Sequence, residues 1–148
     1  MHDFAKWSGL TITDAKLGLE AVKSQFQSEV MDGQTYWFKE SDGRAGISSP
    51  AVHLISVYDE YISSYKDRSA IGDGNFAEKI MSMGNALAYI ILLDGQIIGA
   101  WKRTLKKKEV VIHPNFFIPL KKAEKEAFTR TTKEYGKFLN LSVAVEYE

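Results

Sequence analysis

The chain has 148 residues, 45% hydrophobic and 26% charged, enough for one core or for one core with a small appendage. It has no cysteine, which excludes disulfides, thiolate metal sites and a cysteine nucleophile, and its longest apolar run, Ala86–Leu93, is far short of the roughly 20 residues that span a bilayer. Nineteen basic residues balance nineteen acidic ones, which excludes a globally basic nucleic-acid binder, yet residues 101–148 carry 11 basic against 6 acidic, so any polyanion contact is expected in the C-terminal third.

Residues 3–38 read as two helices and a hairpin. Phe4, Ala5 and Trp7 make a short apolar turn that stops at Ser8-Gly9, and Thr11-Ile-Thr-Asp14 has the form of a capping box opening a second helix. Ile12, Ala15, Leu19, Val22 and Phe26 then recur at spacings of three and four, one apolar stripe over about four turns. Gln27–Met31 and Gln34–Phe38 flank Asp32-Gly33, a two-residue hairpin signal. Helix, tight turn, helix and hairpin is the order of the last parts of a winged helix-turn-helix, with the hairpin as wing. Residues 1–40 are therefore expected to form a partial winged helix-turn-helix, and the turn-rich residues 41–50 a linker.

Residues 51–148 are expected to be a β-rich α+β domain. Val52–Val57 reads as a strand, residues 58–70 as a helical turn and loop, and Asn75–Met83 as a short helix or ordered loop. Leu87–Leu93 and Gln96–Leu105 flank Asp94-Gly95, and Lys106–Lys108 turns the chain into a third strand, Glu109–His113, giving an antiparallel meander. Pro119 opens one long C-terminal helix with an apolar stripe at Leu120, Ala123, Ala127, Phe128, Thr131, Tyr135 and Phe138. Val143, Val145 and Tyr147 alternate as a final half-buried strand.

Three segments, Phe4–Ala15, Tyr58–Arg68 and Asp94–Arg103, together resemble the C-terminal portion of the bacterial winged helix DNA-binding-domain family, which includes glycosylases that unhook interstrand crosslinks. The resemblance runs over roughly residues 3–140. It implies tandem winged helices ahead of a β-rich domain, of which this chain would be the tail. It also implies that the glycosylase branch carries its glutamine-containing motif nearer its own N-terminus. Gln25-Phe26-Gln27 looks similar but ends the second helix, so no catalytic residue is assigned, and the chain by itself is expected to be non-catalytic.

Duplex DNA is the expected partner, held through phosphates. By the resemblance, the helix from Thr11 enters a major groove with Thr13, Lys16 and Lys23 outward, while Glu20 opposes a phosphate or pairs with Lys16. Lys102, Arg103, Lys106, Lys107 and Lys108 end a strand and fill a hairpin tip, where they splay toward a phosphate backbone beside a stacking face on Trp101. The plainer reading is a charged turn that protects an edge strand.

The alternative function is a small-molecule or protein interaction module. Its pocket would be lined by Tyr58, Tyr61, Tyr65, Asp67, Arg68 and Trp101, the tyrosines sharing one face of a helical turn. The structural counterpart is a corner in which the tyrosines pack their rings and bond their hydroxyls. His2, His53 and His113 lack metal-ligand spacing, so no metal is expected, and no cofactor motif is present. The N-terminus lacks a signal-peptide layout, which points to the cytoplasm. Apolar Trp7, Leu10 and Leu19 offer a surface for a homodimer.

Overall fold

The computed structural model describes residues 1–31, 33–39, 49–65, 69–72, 75, 79 and 89–147. The expected Asn75–Met83 element lies mostly outside these residues, as do Asp67 and Arg68. The chain divides into two compact units: Met1–Ile47 with Ser64–Asp67, and Ser48–Ser63 with Arg68–Glu148.

In the first unit, α1 (His2–Ser8) ends at Gly9, whose φ of 73° lies in the left-handed region that a helix C-terminus uses and glycine adopts without strain. Thr11 then caps α2 (Ile12–Val22): its hydroxyl oxygen accepts from the Asp14 backbone N–H at 3.1 Å and its hydroxyl donates to the Asp14 carboxylate at 2.6 Å. The helix stops at Val22 and tightens into a 3-10 turn, Lys23–Gln25, so it is shorter than the four turns expected. Strands β1 (Gln27–Met31) and β2 (Gln34–Phe38) pair antiparallel from Met31 opposite Gln34, in a two-stranded sheet of their own. Burial here is sparse. Among the described residues of this unit only Ala5 and Ala15 are buried, and the α2 stripe continues with Val22 and Phe26 exposed.

The second unit is an α+β layer built on a five-stranded sheet. Its strands are β3 (Val52–Ile55), β4 (Tyr89–Leu93), β5 (Gln96–Leu105), β6 (Glu109–Phe116) and β7 (Ser142–Val145), lying in that order. The first four pair antiparallel, as a meander should. β7 instead runs parallel to β6, because the chain returns through the long helix α4 (Lys122–Leu139). A single helical turn, α3 (Glu60–Ser63), and a 3-10 turn, Ser69–Ile71, lie between β3 and β4.

The sheet is buried on both faces. Val52, Ile91, Ile98, Trp101, Val110 and Ile112 pack with Ala127 and Phe128 of α4, while Ile90, Leu92 and Ile97 form a smaller cluster with Ile55, Ile62, Ile71 and Phe117. That two-sided burial explains the unbroken apolar run Tyr89–Leu93. A register shift between Ile91 and Leu92 inserts an extra residue in β5, so Ile98 and Trp101 reach the same face although they are three residues apart.

The α4 stripe differs from the one expected. Ala123 is exposed and Phe138 is 84% exposed, whereas Thr132 and Gly136 are buried and Leu139 packs on the core. The cause is close contact with β7 near the end of the helix: a Cβ on Gly136 would overlap the Val143 side chain and lie 2.9 Å from the Leu141 carbonyl oxygen. The helix therefore presents its narrowest residue there, and Phe138 is turned outward.

Candidate nucleic-acid interface

β5 outruns β4. Ile97–Trp101 are buried, and Lys102, Arg103, Thr104 and Leu105, which have no β4 partner, are exposed, while Val110, Val111 and Ile112 of β6 opposite them stay buried; this exposed end of β5 leads into the turn that carries Lys106, Lys107 and Lys108. Lys106 N–H donates to the Glu109 carbonyl at 2.8 Å, which closes the turn. Of the five basic side chains, Lys106 alone has a carboxylate within reach among the described residues, Glu109 at 3.4 Å. At 55% and 36% side-chain exposure that pair is weak and easily exchanged for another anion.

Alternation divides the exposed end of β5. Arg103 lies on the α4 face with Trp101, where its guanidinium is 5.8 Å from the ring centroids of both Tyr89 and Tyr135 and an Nη1 hydrogen donates to the Tyr135 hydroxyl. That hydrogen bond, with the attraction of the two rings, holds the guanidinium more firmly protonated than usual. Arg103 is thus fixed in direction on an exposed position. On the other face, Lys102 stands opposite His113, whose Nε2 is 3.2 Å from the Thr104 hydroxyl and whose Nδ1 is 3.7 Å from Glu146.

Trp101, expected as a stacking face, is 3% exposed. Its ring sits 5.0 Å from that of Tyr89 and 5.4 Å from that of Tyr135, and its Nε1–H donates to the Ile55 carbonyl at 3.2 Å. It belongs to the core, where it braces the two tyrosines that orient Arg103, and it is closed to a nucleobase or a pocket ligand.

Of Tyr58, Tyr61 and Tyr65, only Tyr61 lies in a helical turn. α3 covers only Glu60–Ser63, leaving Tyr58 before it at φ 65° and 72% exposed, and Tyr65 after it in the first unit, its carbonyl accepting from Lys6 Nζ at 3.3 Å. Tyr61 is structural: its hydroxyl donates to the Gly95 carbonyl at 2.9 Å, tying α3 to the β4–β5 turn. Asp59 accepts from the Tyr61 N–H at 3.0 Å and caps the same turn. Asp94 completes this corner. Its carboxylate accepts from Ala51 N–H and the Ser49 hydroxyl, both at 2.8 Å, and these hydrogen bonds lower its pKa.

In the first unit Thr13, Lys16 and Lys23 are exposed on or just after α2. Lys23 is partly engaged, 3.1 Å from Glu20 and 5.3 Å above the Trp37 ring, so the Glu20 pairing expected with Lys16 is made with Lys23 instead. Among the described residues no group of three or more acidic or histidine side chains is placed to hold a metal ion, and no helix is long and apolar enough to cross a membrane.

The family model for AlkZ-like DNA glycosylases matches residues 1–138. The chain belongs to that family. Its fold is similar to that of the solved Streptomyces sahachiroi DNA glycosylase AlkZ, with a TM-score of 0.60 at 12% identity, over 99% of this chain and 40% of that one. This AlkZ-like chain thus spans 40% of the length of that glycosylase. No curated protein matches it.

Within this AlkZ-like chain, Gln25 closes the 3-10 turn and Gln27 opens β1, both on exposed positions. The residues that sequence reasoning missed are Tyr89 and Tyr135. They meet Arg103 from a neighbouring strand and from a helix 32 residues away, and no local motif signals that meeting.

Proposed function

We propose that the chain contributes DNA-backbone contacts to a DNA-repair glycosylase of the AlkZ type and is not catalytic by itself. The observation that carries this reading is the exposed end of β5 with the β5–β6 turn, where Lys102, Arg103, Lys107 and Lys108 have no carboxylate partner among the described residues and Arg103 is pre-oriented by two tyrosines. Exposed cations without a carboxylate suit phosphates, which need charge; base edges would need a fixed bidentate geometry. Family membership supplies the nucleic-acid class.

In the same proposal residues 1–40 act as a partial winged helix, residues 41–50 as a linker and residues 51–148 as the domain that carries the β5–β6 turn. Thr13, Lys16 and Lys23 are then further phosphate contacts, with Lys23 exchanging Glu20 for phosphate. The helix–helix–hairpin order and the capped start of α2 support this part. Trp7 at 56% and Leu10 at 46% exposure leave an apolar surface on the same unit that a second copy would cover.

Fluorescence titration of the full chain with duplex DNA at several salt concentrations tests the proposal. Log affinity should fall linearly with log salt, by about 0.9 for each phosphate contacted, and changing Lys106, Lys107 and Lys108 together to Ser should reduce that slope by about 2 to 3. Binding that ignores salt, or a triple variant with the parent slope, contradicts it.

A further inference from the structure

α4 carries a second cationic surface on the side away from the sheet. Its inward face is buried through Ala127, Phe128, Thr132 and Gly136, and its outward face forms an open groove lined by Lys122, Lys125, Glu126, Thr129, Arg130 and Lys133. The flanking lysines have carboxylates beside them: Lys137 is 2.6 Å from Glu134 and Lys121 is 4.0 Å from Glu124. The four cations between them have no carboxylate within 4.0 Å and no side-chain hydrogen bond among the described residues. Lys122 with Lys125, and Arg130 with Lys133, stand three apart on one helix surface, where like charges repel. The same helix pairs its charges at both ends and leaves its middle with a surplus of three positive charges, an arrangement that an external polyanion relieves.

From Lys122 to Lys133 the helix rises about 16 Å, and one strand of a DNA duplex sets a phosphate about every 3.4 Å along its axis. Because the strand winds as it rises, its neighbouring phosphates are roughly 7 Å apart along the backbone itself, so a straight row of this length matches about three phosphates. The groove is open along its length, and at its middle Thr129 turns its hydroxyl inward to the Lys125 carbonyl at 2.8 Å, so the available donors are the charged ones. We infer that the outward face of α4 is a second track for the phosphate backbone of duplex nucleic acid, distinct from the β5–β6 hairpin tip. This rests on the DNA-contact reading above.

The test uses the full chain and a 20-base-pair DNA duplex, with anisotropy read across salt concentrations. A variant carrying Lys122→Gln, Lys125→Gln, Arg130→Gln and Lys133→Gln, changes that preserve helix propensity, should lose about 3 from the slope of log affinity against log salt. If the parent shows no salt-dependent binding, both this inference and the proposed function fall. If the parent binds with a steep slope that the hairpin-tip variant reduces and the α4 variant does not, only this inference falls. Polyglutamate binding that depends on the four cations, beside DNA binding that does not, also overturns it in favour of an acidic protein partner. Should the fourfold variant lose its helical circular dichroism, Glu126→Gln decides: removing the one acidic group in the groove should tighten duplex binding about twofold, and unchanged or weaker binding overturns the inference.

Discussion

Asp94 sits at φ 49° in the β4–β5 turn, and its carboxylate binds Ala51 N–H and the Ser49 hydroxyl while its own N–H donates to the Ala51 carbonyl at 2.8 Å. Aspartate tolerates the left-handed region because its short polar side chain bonds locally. The two donors favour its charged form, so the folded pKa lies below the ordinary 3.8. A depressed carboxylate stabilises the fold fully above the unfolded value and loses that contribution as pH falls through the folded one. Urea unfolding from about pH 5 downward should therefore show a decline that is shallower in Asp94→Asn, which keeps the turn and one acceptor but cannot titrate. Because Asp94 is exposed, the difference should stay under about 1 kcal/mol. Parallel pH profiles for the two proteins would contradict the assignment. Arg103 shows the complementary case of a cation whose direction is set by neutral partners, Tyr89 and Tyr135, so that its charge stays available.

At the scale of elements, two glycines mark where backbone approaches leave no room. Gly99 lies opposite Phe116 beside the β5 irregularity, and a Cβ there would meet Asn115 O at 2.5 Å and Phe116 Cα at 3.1 Å, both backbone atoms unable to swing aside. Gly136 faces Leu141 O and the Val143 side chain. Gly99→Ala should destabilise the protein by about 1–3 kcal/mol through overpacking. Gly136→Ala should also destabilise, because a Cβ there meets the Leu141 carbonyl oxygen at 2.9 Å and the stiff, core-packed Val143 side chain, against which the about 1 kcal/mol of helix propensity that alanine recovers is a partial offset. Chemical denaturation measures both, and a neutral Gly99→Ala would sink the account of the close approach. These contacts also explain what was legible in the sequence. Met31 opposite Gln34 and Leu93 opposite Gln96 were readable because Asp-Gly specifies a hairpin locally. The parallel β7 was not, since the alternation of Val143 and Val145 fixes a face without naming a neighbour. Phe138 misled for a related reason: helical periodicity cannot register that β7 crowds the end of α4 until the two are packed together.

Across the whole molecule, burial is unequal. Among the described residues the second unit holds nearly all the buried apolar ones, on both faces of its sheet, while Ala5 and Ala15 are those buried in the first. A basic segment reads from sequence as a charge run; its value as an interface depends on which cations lack partners, and that is a property of the folded arrangement. Trp101 illustrates the limit, since its charged neighbours Lys102 and Arg103 disguised a core position. Lys102, Lys107 and Lys108 lie on the exposed end of β5 and the turn that follows it, and the central claim is that duplex phosphates cover them. Amine-reactive footprinting of the full chain, read lysine by lysine by mass spectrometry with and without saturating duplex DNA, tests this most directly. The account predicts strong protection of Lys102, Lys107 and Lys108 in the complex, reversed by high salt; equal labelling of these three lysines while the duplex remains bound would contradict it.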